Sequence, residues 1–421
     1  MYNGLSLDQA PPISVVMRFF LTVPIFGFAL CCIVFLDPNG VLTPTSPLSL
    51  ASVHLMFLGV ITMSMIGALF QMQSVLGGRS IPSALGNAFL IHLFLVIGIL
   101  SLSGAFIFTL PTLFIIASVF LGASILHAAN LILPLLFGEI THETLKGMRL
   151  ALIALALTAI LGVVMASEYA NSSFSAMHDA IRSSHYSLGL IGWVATLIIA
   201  VAFQVIEMFY VTPGYSSWCK RNAFRIIATS LFLKIIWLFA ALPFGWIFDL
   251  IIGALLIGFV VTTLKRLQLR KRRVSDVSIW FWGSGMVLLL NAILTYGVFY
   301  GNGYEPLQSV SLISFALFAL AVILGMMGKI VPFLVWFHLN SSGYMEVPIM
   351  SNIIPHSRAK AVFSLFLLTA VMALFGVFLP EMLAVSAITG GAMFALLLFN
   401  LTQALRLYRW TLSHGTRFEQ I

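Results

Sequence analysis

The sequence predicts an all-α polytopic membrane protein of twelve transmembrane helices, arranged in three pseudo-repeated four-helix arcs with both termini cytoplasmic. Three observations predict it. Of the 421 residues 61% are apolar and 8% are charged, with a mean hydropathy of +1.08, whereas soluble globular domains carry about 25% charged residues. The chain also divides at its Pro, Gly and charge clusters into twelve apolar segments, each near the roughly 20 residues that a helix needs to cross a bilayer. Finally, three of those segments share a polar signature at regular spacing.

The spans, in order, are 14–36, 48–77, 86–109, 110–137, 144–167, 180–212, 219–242, 243–267, 277–301, 307–337, 357–379 and 380–408. Span 1 contains the apolar run Val15 to Leu36. It is too long for a signal-peptide core and lacks a basic start and a small-residue cleavage site, so it reads as a retained helix. Tight junctions at "TLPTL" (109–113), "ALPFG" (241–245) and "LPE" (379–381) make their neighbouring spans antiparallel partners. No soluble domain is visible. The chain reads as a single transmembrane domain over 1–421, with four-helix units near 14–137, 144–267 and 277–408.

Orientation follows from the basic residues, because Lys and Arg in short loops mark the cytoplasmic side. With both termini inside, eighteen of the 21 lie at inner loops or helix ends, including the run "LKRLQLRKRR" (264–273). The exceptions are Arg182 in an outer loop, Lys234 within span 7 and Lys329 near the inner end of span 10. The net charge of +8 is therefore a product of membrane insertion, and no nucleic-acid partner is expected. Cys31 and Cys32 are adjacent inside span 1 and Cys219 stands at an inner helix end, which excludes a disulfide framework or thiolate metal site. P-loop, dinucleotide and HExxH signatures are absent.

Spans 2, 6 and 10 are unusually long and run from outside to inside. They end in "IGALFQMQSVLGG" (66–78), "IAVAFQVIEMFYVTP" (199–213) and "LGMMGKIVPFLVWF" (324–337). Gln71 and Gln204 stand 133 residues apart, Lys329 follows 125 later, and Gly59 and Gly192 keep the 133 spacing. That interval is the length of a four-helix unit.

Twelve spans in three such units, with His54 opening span 2, resemble the catalytic subunit of heme-copper oxidases and nitric oxide reductases. The stretch "HLMFLGVITMSMIGALFQMQSVLGGRSIPSALGNAFLIHLFLVIGI" (54–99) looks like helices 2 and 3 of that superfamily. "HYSLGLIGWVATLIIAVAFQVIEMF" (185–209) is similar to helix 6 of its divergent relatives, and the twelve-span NnrS family, reported to contain heme and copper, is a second likeness by architecture. In the oxidases a low-spin heme lies between histidines of helices 2 and 10, and a second helix 10 histidine holds a high-spin heme. His54 matches the first role. The outer part of span 10, "LQSVSLISFALFAL" (307–320), has no histidine. Copper in that family takes a helix 6 histidine, which His185 matches, and a His-His pair on helix 7, where this chain reads "WLFAALPFG" (237–245). The resemblance thus implies heme b or copper as cofactor, with His54 and His185 as ligands and His178 as a weaker metal candidate. It does not imply a standard oxygen reductase, because the ligand count is short.

Geometry adds two pairs. His92 and His127 lie seventeen residues on either side of the turn between Thr109 and Leu110, hence at one depth about 25 Å from it. They are candidate ligands for a heme edge, metal or quinone. Lys234 and Asp249 lie about seven residues from the turn at Leu242 and Pro243, and a charge in lipid survives mainly by pairing. Gln71, Gln204, Glu207 and Lys329 form an expected inner polar cluster, readable as interfacial anchors. The functional expectation is a heme-copper-oxidase-like protein of a bacterial inner membrane, acting in heme, copper or nitric-oxide-linked respiration. A twelve-span transporter or channel for a small solute or metal, without a prosthetic group, is the alternative. The lipid bilayer is the partner common to both.

Overall fold

Hydrocarbon offers the backbone no hydrogen-bond partner, so each crossing must satisfy itself, and a helix does so within one segment. A computed structural model describes residues 9–137, 142–271 and 276–418. Its described residues form twelve helices long and apolar enough to cross a membrane, the number the hydropathy segments predict. They are α1 Ile13–Leu36, α2 Pro47–Gly77, α3 Ala84–Phe108, α4 Pro111–Leu136, α5 Glu143–Asn171, α6 His178–Tyr210, α7 Ser217–Phe239, α8 Trp246–Gln268, α9 Val277–Asn302, α10 Glu305–Ser341, α11 His356–Gly376 and α12 Glu381–His414. No strand occurs among the described residues; one isolated bridge joins Tyr344 and Arg417. The chain is a polytopic membrane protein.

Observed and predicted limits differ in both directions: α7 and α11 stop about three residues before the predicted ends at 242 and 379, at their hairpin turns, whereas α5, α10 and α12 outrun their apolar windows. α12 continues from the predicted end at 408 to His414 through "LYRWTLSH", and α5 from 167 to Asn171. Hydropathy marks the part of a helix inside the bilayer, whereas backbone hydrogen bonding carries on into the interface.

The helices sort into two compact units. One holds the end of α2, from Leu69, together with α3–α8; in it α3 packs on α4, α4 on α5, α5 on α6 and α7 on α8. The other holds α1, α2 as far as Ala68 and α9–α12; in it α1 packs on α12 and on α2, α9 on α10, and α11 on α12.

α2, α6 and α10 are the shielded helices: 72%, 72% and 83% of their most apolar windows are buried, against 28–50% for the others. The others turn Phe28, Leu100, Ile115, Phe232, Val261, Val287 and Ile388 outward. That is the arrangement expected where lipid, not water, wets the surface.

The 133-residue interval is visible in local structure. In α2, π-helix over Leu55–Thr62 precedes α-helix over Met63–Gly77; in α6, π-helix over Leu188–Ala195 precedes α-helix over Thr196–Tyr210. Met63 N–H reaches back to Leu58 O, and Thr196 N–H to Ile191 O, five residues in each case. Both helices then end on a left-handed residue, Gly78 at φ +63° and Val211 at φ +50°. Glycine adopts that conformation freely, whereas a β-branched residue is strained there. α10 departs from this pattern and runs as one α-helix with Pro332 inside it.

Close backbone crossings recur at the same intervals. A Cβ on Gly67 would stand 2.7 Å from Phe19 of α1, and one on Gly325 would stand 2.8 Å from Phe281 of α9. At the equivalent position of α6, Ala200 lies 2.6 Å from where a Cβ on Gly147 of α5 would be. Gly59 meets Phe26 and Gly192 meets Ala154 in the same way. Helices in lipid associate through such small-residue contacts, because apolar side chains gain little by leaving apolar solvent.

Gly192→Leu is therefore expected to destabilise the protein by about 1–3 kcal/mol through overpacking. Gly258→Leu, where nothing lies within 4 Å of the added Cβ, should leave it near wild type. Unfolding of the purified variants in mixed micelles by detergent titration measures both.

Candidate functional site

The two histidines that open the apolar parts of α2 and α6 are held in the same way. His54 Nδ1 lies 2.7 Å from Leu50 O, four residues back on α2. A carbonyl oxygen only accepts, so Nδ1 carries the hydrogen and the lone pair of the neutral ring is on Nε2. His185 Nδ1 lies 3.0 Å from Thr158 O of α5, which gives the same tautomer. Gly162 makes room for that ring: a Cβ there would come within 3.1 Å of His185 Cε1.

The 133 offset aligns His54 with Ser187 and Ser52 with His185, so the two histidines are not equivalent positions of a repeat. Each helix carries one His and one Ser two residues apart, just before its π segment. The hydroxyls of Ser52 and Ser187 are buried and meet no protein partner among the described residues.

The α7–α8 hairpin brings together the pair that equal depth predicts. Lys234 Nζ lies 2.6 Å from Asp249 Oδ1, with side-chain exposures of 7% and 23%. The same ammonium sits 6.0 Å from the ring centre of Tyr186, the neighbour of His185. The outer end of helix 7, "WLFAALPFG" (237–245), where the resemblance expects imidazoles, has no histidine, and Lys234 stands just before it.

His178 does not stand with a metal-ligand set. Its Nδ1 lies 2.6 Å from Glu168 Oε2 at the end of α5, and Glu168 Oε1 accepts the Ser175 N–H at 3.0 Å. Phe174 and Tyr169 flank the imidazole edge-on. Sequence reasoning misses Glu168. The signal is an acidic residue at the outer end of a span, in a chain with few acids, ten residues before a histidine across a Ser/Asn turn.

His127 finds a polar partner on α3, and that partner is Asn87. Asn87 Nδ2 donates to Pro82 O at 2.8 Å, so its Oδ1 faces His127 Nε2, 2.9 Å away, as the acceptor. His127 also lines a cleft of about 230 Å³ with Leu90, Ile91, Phe94, Ala123 and Ser124. His92 is not among that lining. It follows Ile91, whose carbonyl accepts the Ser124 hydroxyl of α4, and so is turned about 100° around the helix from that contact.

Of the expected inner polar residues, Glu207 and Lys329 each have an ion-pair partner of their own. Glu207 Oε1 receives Lys220 Nζ at 2.7 Å and the Tyr215 N–H at 2.7 Å, while Gln204 is half-buried one turn earlier in α6. Lys329 pairs with Asp276, the residue that caps α9 by accepting the Ser278 N–H. Gln71 is 6% exposed, and neither its Oε1 nor its Nε2 meets a protein partner among the described residues. Burial pushes the Asp276 carboxyl up, but hydrogen bonds from Lys329 and Ser278, with the Lys329 charge, hold it below the usual carboxylate range.

Together these features define a polytopic membrane protein with twelve candidate spans, three shielded helices and ionisable groups held in defined pairs inside it. Compared with protein-family models and with curated protein sequences, the chain matches none. Among the described residues no group of three or more His, Cys, Asp or Glu converges on one point.

Removing one member of the buried Lys234–Asp249 pair leaves an uncompensated charge, which typically costs about 3–5 kcal/mol. Lys234→Met and Asp249→Leu should each destabilise strongly, whereas the double variant should recover most of the loss; a double-mutant cycle on unfolding free energies measures the coupling. Asp276 contributes stability above its unfolded value of about 3.9. That contribution is lost as pH falls through the lower folded value. Asp276→Asn should flatten the acid side of the wild-type stability profile.

Proposed function

We propose that this is a heme-copper-oxidase-like membrane protein in which His54 holds a b-type heme and the usual copper centre has been lost. Its role would lie in heme, copper or nitric-oxide-linked respiratory physiology. The observation that carries this reading is the His54 ring, whose N–H is committed to a backbone carbonyl on a shielded helix directly before a π segment. Histidines that ligate metals almost always donate their second ring nitrogen to such an acceptor, which orients the ring and raises its basicity. π-helical turns inside α-helices concentrate at functional sites.

The donor chemistry fits an axial imidazole. His54 would supply it through Nε2, and Leu50 would fix the tautomer. A bound heme would supply one-electron transfer or binding of a small diatomic molecule, with its potential set by the axial ligands. Copper does not fit. The three-imidazole site of that superfamily takes two ligands from the outer end of helix 7, and "WLFAALPFG" (237–245) contains no histidine.

The Lys234–Asp249 pair is what favours the second reading, a transporter whose coupling ion or solute perturbs a buried charge pair. Against it, α6 follows α2 at an offset of four helices, an even number, so the echo between them is not inverted. Many transporters instead use inverted repeats.

Purified from cells supplied with ample heme, the protein should show a Soret band and b-type bands in its reduced-minus-oxidised spectrum. His54→Ala should bind heme at least tenfold more weakly, while its elution and unfolding remain those of the wild type. A colourless wild-type preparation would contradict the heme assignment, and solute uptake into proteoliposomes that Asp249→Asn abolishes would support the transporter.

A further inference from the structure

The ends of α11 and α12 that the distribution of Lys and Arg assigns to the cytoplasmic side carry a site that the heme reading does not use. The short helix Met350–Ile353, the first turn of α11 and the last turns of α12 enclose a cleft of about 380 Å³. Asn352, Arg358, Gln403, Arg406, Leu407 and Trp410 line it. On α12 the lining residues recur at i, i+3, i+4 and i+7, so they share one face. The volume falls in the ~300–1,000 Å³ range of small-molecule sites.

Its chemistry is one-sided. Arg358 is oriented by a hydrogen bond from its Nη1 to Oδ1 of the buried Asn400, at 3.2 Å, and by the Phe399 ring 5.5 Å away. Arg406 is exposed at the rim, and Lys360 and Arg409 lie two and three residues from the two arginines. Between Glu346 and Glu381, and again between Glu381 and Glu419, the sequence has no acidic residue. Two guanidinium groups with the amides of Asn352 and Gln403 present donors without a competing carboxylate, which suits the oxygens of a phosphate.

The remaining wall says what the phosphate is attached to. Trp410 is 59% exposed and sits with Leu407 on the lining face, an amphipathic surface of the kind that lies at headgroup level. We propose that this cleft binds the headgroup of an anionic phospholipid of the cytoplasmic leaflet, with Arg358 and Arg406 on its phosphate and Trp410 against the glycerol and upper chain. Basic pockets between membrane helices on that side recognise such lipids. The site is independent of any prosthetic group.

Native mass spectrometry of the full-length protein in detergent, titrated with phosphatidylglycerol or phosphatidylcholine, tests it. Wild type should bind phosphatidylglycerol at least tenfold more tightly. Arg406→Gln, at the exposed rim, should weaken that binding at least fivefold, and Arg358→Gln with Arg406→Gln should erase the preference. Arg149→Gln, which removes a cation held by Leu136 O in the other unit, should leave it intact. Variant folding is checked by lipid-free melting temperature. Equal binding of both lipids, or equal loss in Arg406→Gln and Arg149→Gln, would overturn the proposal. Retention of inorganic phosphate by the same arginines, without a preference for phosphatidylglycerol, would also overturn it by reassigning the cleft to a free anion.

Discussion

Backbone approach between paired helices, permitted only where one partner lacks a side chain, is the constraint on which the rest of this protein depends. Lipid gives apolar side chains little reason to associate, so a twelve-helix protein is held by shape. Here the shape is set at Gly67 against Phe19, Gly147 against Ala200 and Gly325 against Phe281. Each contact presses one shielded helix onto the helix before it in sequence. The shielded helices are then deprived of lipid along most of their length, and their polar residues must find partners within the protein.

The π segments depend on the same kind of contact. Gly59 and Gly192 lie in the middle of the widened stretches and face Phe26 and Ala154. One extra residue in a turn rotates the N-terminal part of a helix by about 100° relative to its C-terminal part. In α2 and α6 the N-terminal part is the short polar start carrying His54, His185 and their buried serines. The C-terminal part is the apolar body ending in Gln71 and Gln204. A helix without the insertion, such as α10, presents a continuous apolar stripe, and it is also the one without a histidine in its outer half. The two π segments and the two histidines therefore occur in the same two helices.

Much of this is legible in the sequence, and the limit has a physical cause. The number of spans and the Lys234–Asp249 pair need only hydropathy and equal distance from a hairpin turn; the 133-residue echo between α2 and α6 needs only spacing, and α10 does not share their π segment. Properties that depend on which way a side chain points are not legible. His92 and His127 share a depth by count, yet the α3 side chain that His127 Nε2 meets is Asn87, a contact that depth alone does not reveal. Glu168 escapes a reading of the sequence that treats its partner His178 as a metal candidate. Asp276 escapes it because helix capping hides a second role, the ion pair with Lys329. The π turns leave no mark in composition beyond two glycines 133 residues apart.

The heme proposal turns on the ring of His54. Pulsed electron paramagnetic resonance on the ferric protein, grown with ¹⁵N-histidine and ordinary heme, reads axial nitrogen directly. The account predicts ¹⁵N hyperfine coupling from a protein imidazole that disappears in His54→Met. The same coupling persisting in that variant, or a bound heme with no ¹⁵N coupling in the wild type, would contradict it.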